Sequence, residues 1–413
     1  MNDTTVEVTV SDRLNRTFTY SAQSGTLILD FLKKEGYPSS SVIVYENGEV
    51  VSEFVTHFQE WRTYHIEMVR AYHLPDIMDR TLPTDATPEG VVYAKNVLEL
   101  TPDGGGTNKV AFLDEGGLVR DCEETFVASL RHHGDILSTG DKVVVAFSGG
   151  RDSLSLMLLL HRLRDKLPRI DITAVTINDC IDALDLRYTV DLCKELHVNH
   201  IVRDKEDIEA RFHLNTDFDT ALMSIYSHCG RQHTLYTLHF VMRRMVEQVA
   251  AETGATKIAL GLHLEDIAAS ILRSMTTGYL VGFPWKRTFG GFTYVYPLWA
   301  FPKKELTLYL KFTAHEYSKQ GSAATFDRGT VDRDIYYALA DHSNDVWPGF
   351  ALHLFEGYSR ILSTIKEDTI AFAECENCGG SFALNTSKGG ASVRGAYCAV
   401  CEDLMRSGVL VTR

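Results

Sequence analysis

A stretch between a buried strand and an apolar helix carries the residues with the clearest chemistry. It reads VVVAFSGGRDSLSLMLLL, and its turn consists of Ser148, Gly149, Gly150, Arg151, Asp152 and Ser153. A Gly-rich turn before a helix start directs several backbone N–H groups and the positive end of the helix at one spot. The sequence therefore predicts a phosphate-binding loop. It is not the GxxxxGK(S/T) loop of common nucleotide triphosphatases, which is longer and contains a Lys.

Four cysteines near the carboxyl end of the sequence have the spacing of metal ligands. Two Cys-x-x-Cys pairs, Cys375 with Cys378 and Cys398 with Cys401, are separated by 19 residues. Two such thiolate pairs can form one closed tetrahedral site, as in a zinc ribbon. We predict a structural Zn²⁺ there, with redox pairing as the alternative.

A third stretch, GATKIALGLHLEDIAASILRSM, places polar side chains after a short strand. These are His263, Glu265 and Asp266, which follow Gly261. These residues are candidates for the active site. For His263 and Glu265 an ordinary role as polar residues at a strand end is an equal alternative.

Composition limits the class of protein. The 413 residues suffice for two or three domains, and 45% hydrophobic residues are typical of a globular protein. No secretory signal pattern and no apolar run of about 20 residues occurs, so we expect a cytoplasmic protein without membrane contact. The net charge of -14 argues against a generic nucleic-acid binder, although local basic patches remain compatible with it.

The elements before the phosphate loop form a first predicted domain, residues 1–76. Alternating strands flank a short helix that ends near Gly36, and Asn47-Gly48 is a hairpin signal. This β-β-α-β-β order resembles the β-grasp sulfur carriers of the ThiS and MoaD kind, and another small α+β domain is the alternative. The resemblance implies a carrier ending in a free Gly-Gly. Because this chain continues, we expect a docking domain instead, unless cleavage after Gly106 releases a tail.

The phosphate loop also resembles a known family. AFSGGRDSLSL matches the SGGxDS signature of the PP-loop ATP pyrophosphatases, which implies Mg²⁺-ATP binding and transfer of AMP to a substrate oxygen. The stretch around Asp266, the segment YVYPLWAFPKKELTLYL and the four cysteines are similar to the TtuA and TtcA tRNA-thiolating enzymes. That resemblance implies that Gly261 belongs to the nucleotide site and that Asp266 handles magnesium or protons.

The sequence departs from this family at its iron–sulfur ligands. In YSHCGRQHTLYTLHFVMRR, Cys229 matches the second cysteine of the family, but Tyr226 occupies the first position. The third position falls in SKQGSAATFDRG, which has no cysteine. One thiolate cannot hold a cluster built for three or four, so we do not expect a 4Fe-4S cluster. Cys229 becomes a candidate persulfide carrier.

The resemblance also implies a catalytic basic residue shortly after that cysteine. Arg231 is the candidate by proximity to Cys229, and Arg243 is the candidate by its distance from Asp266. The sequence does not choose between them. Compared with the family, it carries an insertion that lengthens the helix beginning near Gly230.

These observations predict an α/β fold with a parallel-sheet PP-loop domain over residues 109–370. A β-grasp domain precedes it, a linker fills 77–108, and a zinc ribbon spans 371–413. The predicted function is ATP-dependent thiolation at C2 of a tRNA uridine. The alternatives are an adenylating ligase that uses an amine and a non-catalytic ATP- or tRNA-binding relative. The predicted partners are tRNA, a sulfur-carrier protein or its activating enzyme, and a second copy in a homodimer.

Overall fold

A computed structural model describes eleven segments of the chain. They are residues 5–12, 16–69, 89–100, 106–132, 136–178, 186–277, 282–313, 332–346, 349–364, 372–383 and 397–410. Within these segments, no helix has the length and apolar character needed to cross a membrane.

Residues 5–69 form an N-terminal unit of one sheet and one helix. Its elements are β1 (Thr5–Ser11), β2 (Thr17–Gln23), α1 (Ile28–Glu35), β3 (Val42–Glu46), β4 (Glu49–Val51) and β5 (Tyr64–Met68). The strand order is β2-β1-β5-β3-β4, with β1 and β5 parallel and the other pairs antiparallel. The elements lie where the sequence predicts them. The specific kinship with ThiS and MoaD stays a prediction.

The two faces of this sheet pack against different partners. Val8, Val44 and Ile66 are buried in a core that α1 covers. Ile43 points to the other face and belongs to the core of the following domain. This alternation of period two along β3 places the N-terminal unit directly against the rest of the protein.

A hairpin follows where the sequence analysis predicted a linker. Strands β6 (Tyr93–Leu100) and β7 (Gly106–Leu113) pair in antiparallel register. The linker prediction over 77–108 was therefore wrong for the part that contains these strands. The segment as a whole is rich in Pro, Thr, Asp and Gly, which is typical of a linker, although it contains the strand-forming stretch of β6. Residues 70–88 lie outside the described residues.

The next domain is built on a six-stranded sheet with helices around it. Its elements are α2 (Glu115–His132), β8 (Lys142–Ala146), α3 (Arg151–Arg162), β9 (Asp171–Ile177), α4 (Leu186–Glu195), β10 (Asn199–Arg203), α5 (Lys205–Phe212), α6 (Phe218–Cys229), α7 (Arg231–Thr253), β11 (Lys257–Ala259), α8 (Leu264–Thr277), β12 (Lys286–Phe289), β13 (Phe292–Val295), α9 (Lys303–Phe312), α10 (Asp332–Val346) and α11 (Phe350–Thr364).

The strand order of this sheet creates a binding crevice. The order is β10-β9-β8-β11-β13-β12, in which β12 is antiparallel and the remaining strands are parallel. After β8 the chain crosses to β9 on one side, whereas β11 lies on the other side. Ligands of open α/β sheets bind at such a switch point, at the carboxyl ends of the strands. The predicted α/β fold with a parallel sheet is confirmed.

The last described elements form a small separate layer. They are β14 (Phe372–Glu374), β15 (Ser381–Ala383) and α12 (Ala399–Arg406). Their four cysteines share a core with α5, α6 and α7, to which Ile208, Phe218 and Met245 contribute. Helix α7 has 23 residues and starts after a sharp break at Gly230, where φ is 84°. A long helix beginning near Gly230 is therefore present, and the insertion relative to the family stays a prediction.

Candidate active site and metal centre

The predicted phosphate loop lies between β8 and α3, at the switch point of the sheet. Gly149 adopts a positive φ of 74°, which lets the chain turn sharply after Ser148. The Ser153 hydroxyl accepts a hydrogen bond from the Ser148 N–H at 3.2 Å and donates one to the Gly150 carbonyl at 3.1 Å. The serines therefore hold the turn closed, while the first N–H groups of α3 lack acceptors within the helix.

Gly261 lies close against the backbone of the first turn of α3. A Cβ atom at this position would lie 3.0 Å from the carbonyl carbon of Asp152 and 3.0 Å from the nitrogen of Ser153. A contact that short with backbone atoms forces the loop to shift. Gly261 therefore packs directly against the phosphate loop, and its role in nucleotide binding stays a prediction.

A cluster of charged side chains surrounds Asp152 beside the loop. The Lys303 ammonium lies 3.2 Å from the Asp152 carboxylate, and His263 Nε2 lies 4.0 Å from it. Burial by itself raises the pKa of Asp152, but the positive charge of Lys303 and the electrostatic interaction with His263 outweigh it and lower the pKa. Asp152 is therefore ionised at neutral pH and is paired with Lys303.

The polar residues after β11 are organised around the same cluster. His263 is fully buried, and its Nδ1 lies 2.8 Å from the Glu265 carboxylate. Its Nε2 lies 3.1 Å from the Asp266 carboxylate, which also accepts a hydrogen bond from the Tyr337 hydroxyl. The Lys303 N–H donates to Glu265 at 3.1 Å. His263 and Glu265 are thus members of this charged cluster, and whether they have a functional role stays a prediction.

Two residues of this cluster were not among the predicted site residues. Lys303 follows Pro302 at the start of α9. The segment PKKE predicts a helix start there but no contact with the phosphate loop. Tyr337 lies on α10, and the sequence around it gives no signal of its contact with Asp266. The fold brings Lys303 to Asp152, 151 positions earlier in the chain, and Tyr337 to Asp266, 71 positions earlier.

Cys229 lies apart from the charged cluster. It is the last residue of α6, is half-buried, and packs against the core that contains the four metal-type cysteines. Tyr226 is one helical turn earlier and is 37% exposed. Among the described residues this helix end therefore offers one thiol. The third predicted cluster position, in 318–329, and Cys180 lie outside the described residues.

The two candidate arginines on α7 have different surroundings. Arg243 forms an ion pair with Glu247 at 3.4 Å, and its guanidinium lies over the rings of Phe240 and Phe289. It also donates to the Ser381 carbonyl of β15 at 3.5 Å. These contacts join α7 to the cysteine layer. Arg231 is the first residue of α7, and its side chain lies outside the described set.

The four cysteines meet at one point. Cys375, Cys378, Cys398 and Cys401 are buried, and their Sγ atoms lie within 4.8 Å of one another. Cys378 Sγ and Cys398 Sγ are 3.9 Å apart. A tetrahedral Zn²⁺ with Zn–S bonds of about 2.3 Å requires sulfur separations of about 3.8 Å. The donor set therefore fits a zinc ion. In the described part of the chain, no other cluster of His, Cys, Asp or Glu ligand atoms converges in this way.

The family model of the PP-loop domain matches residues 122–339, which is more than half of the chain. This range contains the phosphate loop, the residues after β11 and Lys303. The chain belongs to the PP-loop family. Its membership implies ATP as the nucleotide. The predicted family resemblance is thereby confirmed.

Curated relatives of this PP-loop protein carry a common name. A tRNA-cytidine(32) 2-sulfurtransferase of Paraburkholderia phytofirmans is 31% identical over 145 residues, 35% of this chain and 39% of the relative. The protein of that name from Bordetella petrii is 29% identical over 246 residues, 58% of this chain and 70% of the relative. The chain thus spans about two fifths of the length of the first of these relatives.

A solved structure with a similar fold is the U34-tRNA thiolase NcsA from Methanococcus maripaludis with its 4Fe-4S cluster. The TM-score is 0.55 at 19% sequence identity, with 77% of this chain and 95% of that chain covered. The likeness confirms the fold of the PP-loop protein over most of its length.

Proposed function

We propose that this PP-loop protein is an ATP-dependent tRNA thiolase that replaces the C2 oxygen of a pyrimidine by sulfur. Its membership of the PP-loop family and its similarity to tRNA 2-sulfurtransferases support the reaction class. The single observation that carries the proposal is the phosphate loop at the switch point, with Asp152 and Lys303 paired beside it. We propose uridine as the base.

The proposed reaction has two steps. The C2 oxygen of the base attacks the α-phosphorus of ATP, and the bond to pyrophosphate breaks. A sulfur nucleophile then attacks C2, and AMP leaves with the former C2 oxygen. Adenylation is needed because an oxygen bound to a pyrimidine carbon is a poor leaving group, whereas AMP is a good one. The protein accelerates both steps by positioning and by stabilising charge.

The residues of the site have distinct proposed roles. Backbone N–H groups from Ser148 to Ser153 bind the phosphates, and Lys303 compensates the negative charge of Asp152 so that it does not repel them. His263 is held by Glu265 and faces Asp266, an arrangement that can move a proton to or from the base. Mg²⁺ is expected to enter with ATP.

Zinc is our proposal for the four cysteines. The ion would be held by Cys375, Cys378, Cys398 and Cys401 and would supply structural cohesion to the layer, since four thiolates leave no open position. Arg406 lies on α12 of this layer with its side chain 69% exposed, which suits contact with an RNA phosphate. This layer is therefore the surface that we propose for tRNA.

We propose Cys229 as the residue that receives sulfur, because a half-buried thiol at a helix end is accessible to a donor. Its thiolate attacks the sulfane sulfur of a persulfide donor, whose thiol leaves. After the outer sulfur has bonded to C2 and AMP has left, an external thiol reduces the remaining S–S bond. Arg231, two positions later, is our candidate for the catalytic arginine. The contacts of Arg243 favour a structural role for that residue instead. We also propose that the enzyme is cytoplasmic and forms a homodimer. Its proposed protein partner is a sulfur-carrier protein or an activating enzyme.

A nucleoside survey tests the proposal. Transfer RNA from cells with and without the gene is digested and analysed by mass spectrometry, and 2-thiouridine should disappear with the gene. Loss of 2-thiocytidine instead would change the base and keep the reaction. Purified protein should release pyrophosphate from ATP with tRNA, and the Cys229→Ala variant should keep that release but lose sulfur incorporation. Unchanged nucleosides, with pyrophosphate release dependent on an amine, would reject thiolation.

A further inference from the structure

The first turn of α9 joins three parts of the protein. Its first residue, Lys303, pairs with Asp152 of the phosphate loop. The next, Lys304, points to the N-terminal unit, and Glu305 accepts hydrogen bonds from Tyr93 and Lys95 of the β6–β7 hairpin. Neighbouring residues in one helical turn share a rigid backbone. A change in the contacts of Lys304 therefore also shifts the position of Lys303.

The contact of Lys304 with the N-terminal unit is a buried ion pair. The Lys304 ammonium lies 2.8 Å from the Glu53 carboxylate, with side chains 5% and 4% exposed. It also donates to the Ser39 carbonyl at 3.2 Å. A buried ammonium needs a compensating charge, because transfer from water is costly. Glu53 therefore determines where the Lys304 side chain lies.

A cavity beside this ion pair is a second location for the Lys304 ammonium. Its volume is about 180 Å³, and it is lined by Glu53, Lys304, Glu265, Glu305 and Asp345, among others. Without the Glu53 charge, the ammonium has other carboxylates within the same cavity. Glu265 is also the residue that accepts hydrogen bonds from the Lys303 N–H and binds His263. Relocation of Lys304 would thus disturb the start of α9 where it supports the site.

We propose that Glu53 is a positioning residue of the nucleotide site. It acts through Lys304 and the first turn of α9 to hold Lys303 against Asp152. The N-terminal unit is therefore part of the machinery that binds ATP and not only an attached module. This inference rests on ATP binding at the phosphate loop, which belongs to the proposed function, but not on the transfer of sulfur.

The test compares a variant at the contact between the N-terminal unit and the start of α9 with a variant at the contact near the end of α9. Glu53→Gln in the full chain should weaken ATP binding about tenfold in calorimetry, the size of coupling that contacting residues show. Lys311→Gln is the matched control, since Lys311 contacts the Tyr45 ring of the same unit at 4.1 Å from the other end of α9. It should leave ATP affinity within about twofold of wild type. Equal affinities of Glu53→Gln and wild type would overturn the inference.

A double-mutant cycle separates positioning from general destabilisation. In a Lys303→Ala background, Glu53→Gln should have no further effect on ATP affinity, because its route to the site is already gone. Additive effects would overturn the proposed route. Glu53→Asp keeps the charge and should retain most of the affinity, and it carries the comparison if Glu53→Gln does not fold.

The outcomes for the two proposals are distinguishable. Wild-type protein that binds ATP but thiolates no tRNA overturns the proposed function, while the cycle still decides the role of Glu53. Wild-type protein that thiolates tRNA while Glu53→Gln binds ATP normally overturns only the inference. Wild-type protein that binds no ATP overturns both.

Discussion

Gly261 is the residue at which a single methyl group should impair the nucleotide site. Its Cα faces the backbone of Asp152 and Ser153, so Gly261→Ala must push the first turn of α3 away from the phosphates. We expect ATP binding to weaken by about tenfold, as overpacking against a rigid neighbour costs about 1–3 kcal/mol. Isothermal titration calorimetry measures this.

Gly357→Ala is the control for that substitution. Gly357 lies within α11, and a Cβ atom there meets nothing within 4 Å. The substitution should stabilise the helix by up to about 1 kcal/mol and leave ATP affinity unchanged. Normal ATP affinity in Gly261→Ala would remove Gly261 from the site.

The pair of Lys303 and Asp152 should give stability a characteristic pH dependence. The lowered pKa of Asp152 means that ionised Asp152 favours the folded state above the unfolded pKa of about 3.9, and that this contribution is lost as pH falls through the folded pKa. Lys303→Met leaves the carboxylate facing His263, Asp266 and Arg151 without its nearest cation. The variant should lose about 1–3 kcal/mol at pH 7.

This loss should shrink as pH falls below the unfolded pKa of about 3.9 and through the lowered folded pKa of Asp152, where the carboxylate that Lys303 pairs with is protonated. Urea unfolding of both proteins at pH 7 and at low pH measures the difference. A difference that does not vary with pH would mean that Lys303 acts by packing and not by its charge.

At the residue scale, the sequence predicts those features whose residues lie close together in the chain. The turn from Ser148 to Ser153 could be predicted because strand, glycines and helix start are contiguous, and the cysteine pairs because their spacing is diagnostic. Contacts of Lys303 with Asp152 and of Tyr337 with Asp266 could not be predicted, since they join elements far apart in the chain. The assignment of the predicted site residues to catalysis remains a prediction.

At the scale of elements, the cysteine layer should be a metal-dependent unit separate from the nucleotide site. We expect about one zinc and no iron per chain, because the sulfur separations fit a single Zn²⁺. Cys378→Ser should lose the metal and destabilise the layer, since it removes one of the four converging thiol ligands. ATP binding should persist, because the phosphate loop packs in the other core. Elemental analysis after anaerobic purification measures both metals.

Cys193→Ser provides the matched control for the metal. Cys193 is a buried thiol of α4 in the core of the PP-loop domain, so its loss should cost stability but no zinc. About four irons per chain in the wild type would instead assign an iron–sulfur cluster to this protein. That result would contradict the expectation that Tyr226, at the first ligand position, prevents cluster binding.

The elements themselves differ in how far the sequence predicts them. Asn47 and Gly48 both have positive φ, at 50° and 86°, so the predicted hairpin turn is present, and α1 ends at Gly36 with φ of 75°. The β6–β7 hairpin escaped prediction because its strands lie in a segment whose average composition is that of a linker. Local turn chemistry was a better guide than composition averaged over many residues.

At the scale of the whole molecule, the N-terminal unit and the PP-loop domain should respond together to ATP. Ile43 of β3 is 1% exposed and packs in the core of the PP-loop domain, whereas its neighbour Val44 packs under α1. Because α9 contacts both the unit and the phosphate loop, ATP should slow amide exchange in β3 as well as in α3. A ligand raises the free energy of those openings that release it.

Two adjacent substitutions on opposite faces of β3 test this coupling. Ile43→Thr puts a hydroxyl between the unit and the PP-loop domain, so ATP should still protect α3 but should no longer protect β3. Val44→Thr places the same group in the unit's own core, where it should speed exchange of β3 with and without ATP while the protection by ATP remains. Hydrogen–deuterium exchange with mass spectrometry resolves both segments. If ATP slows amide exchange only in α3 of the wild type, the N-terminal unit is not coupled to nucleotide binding.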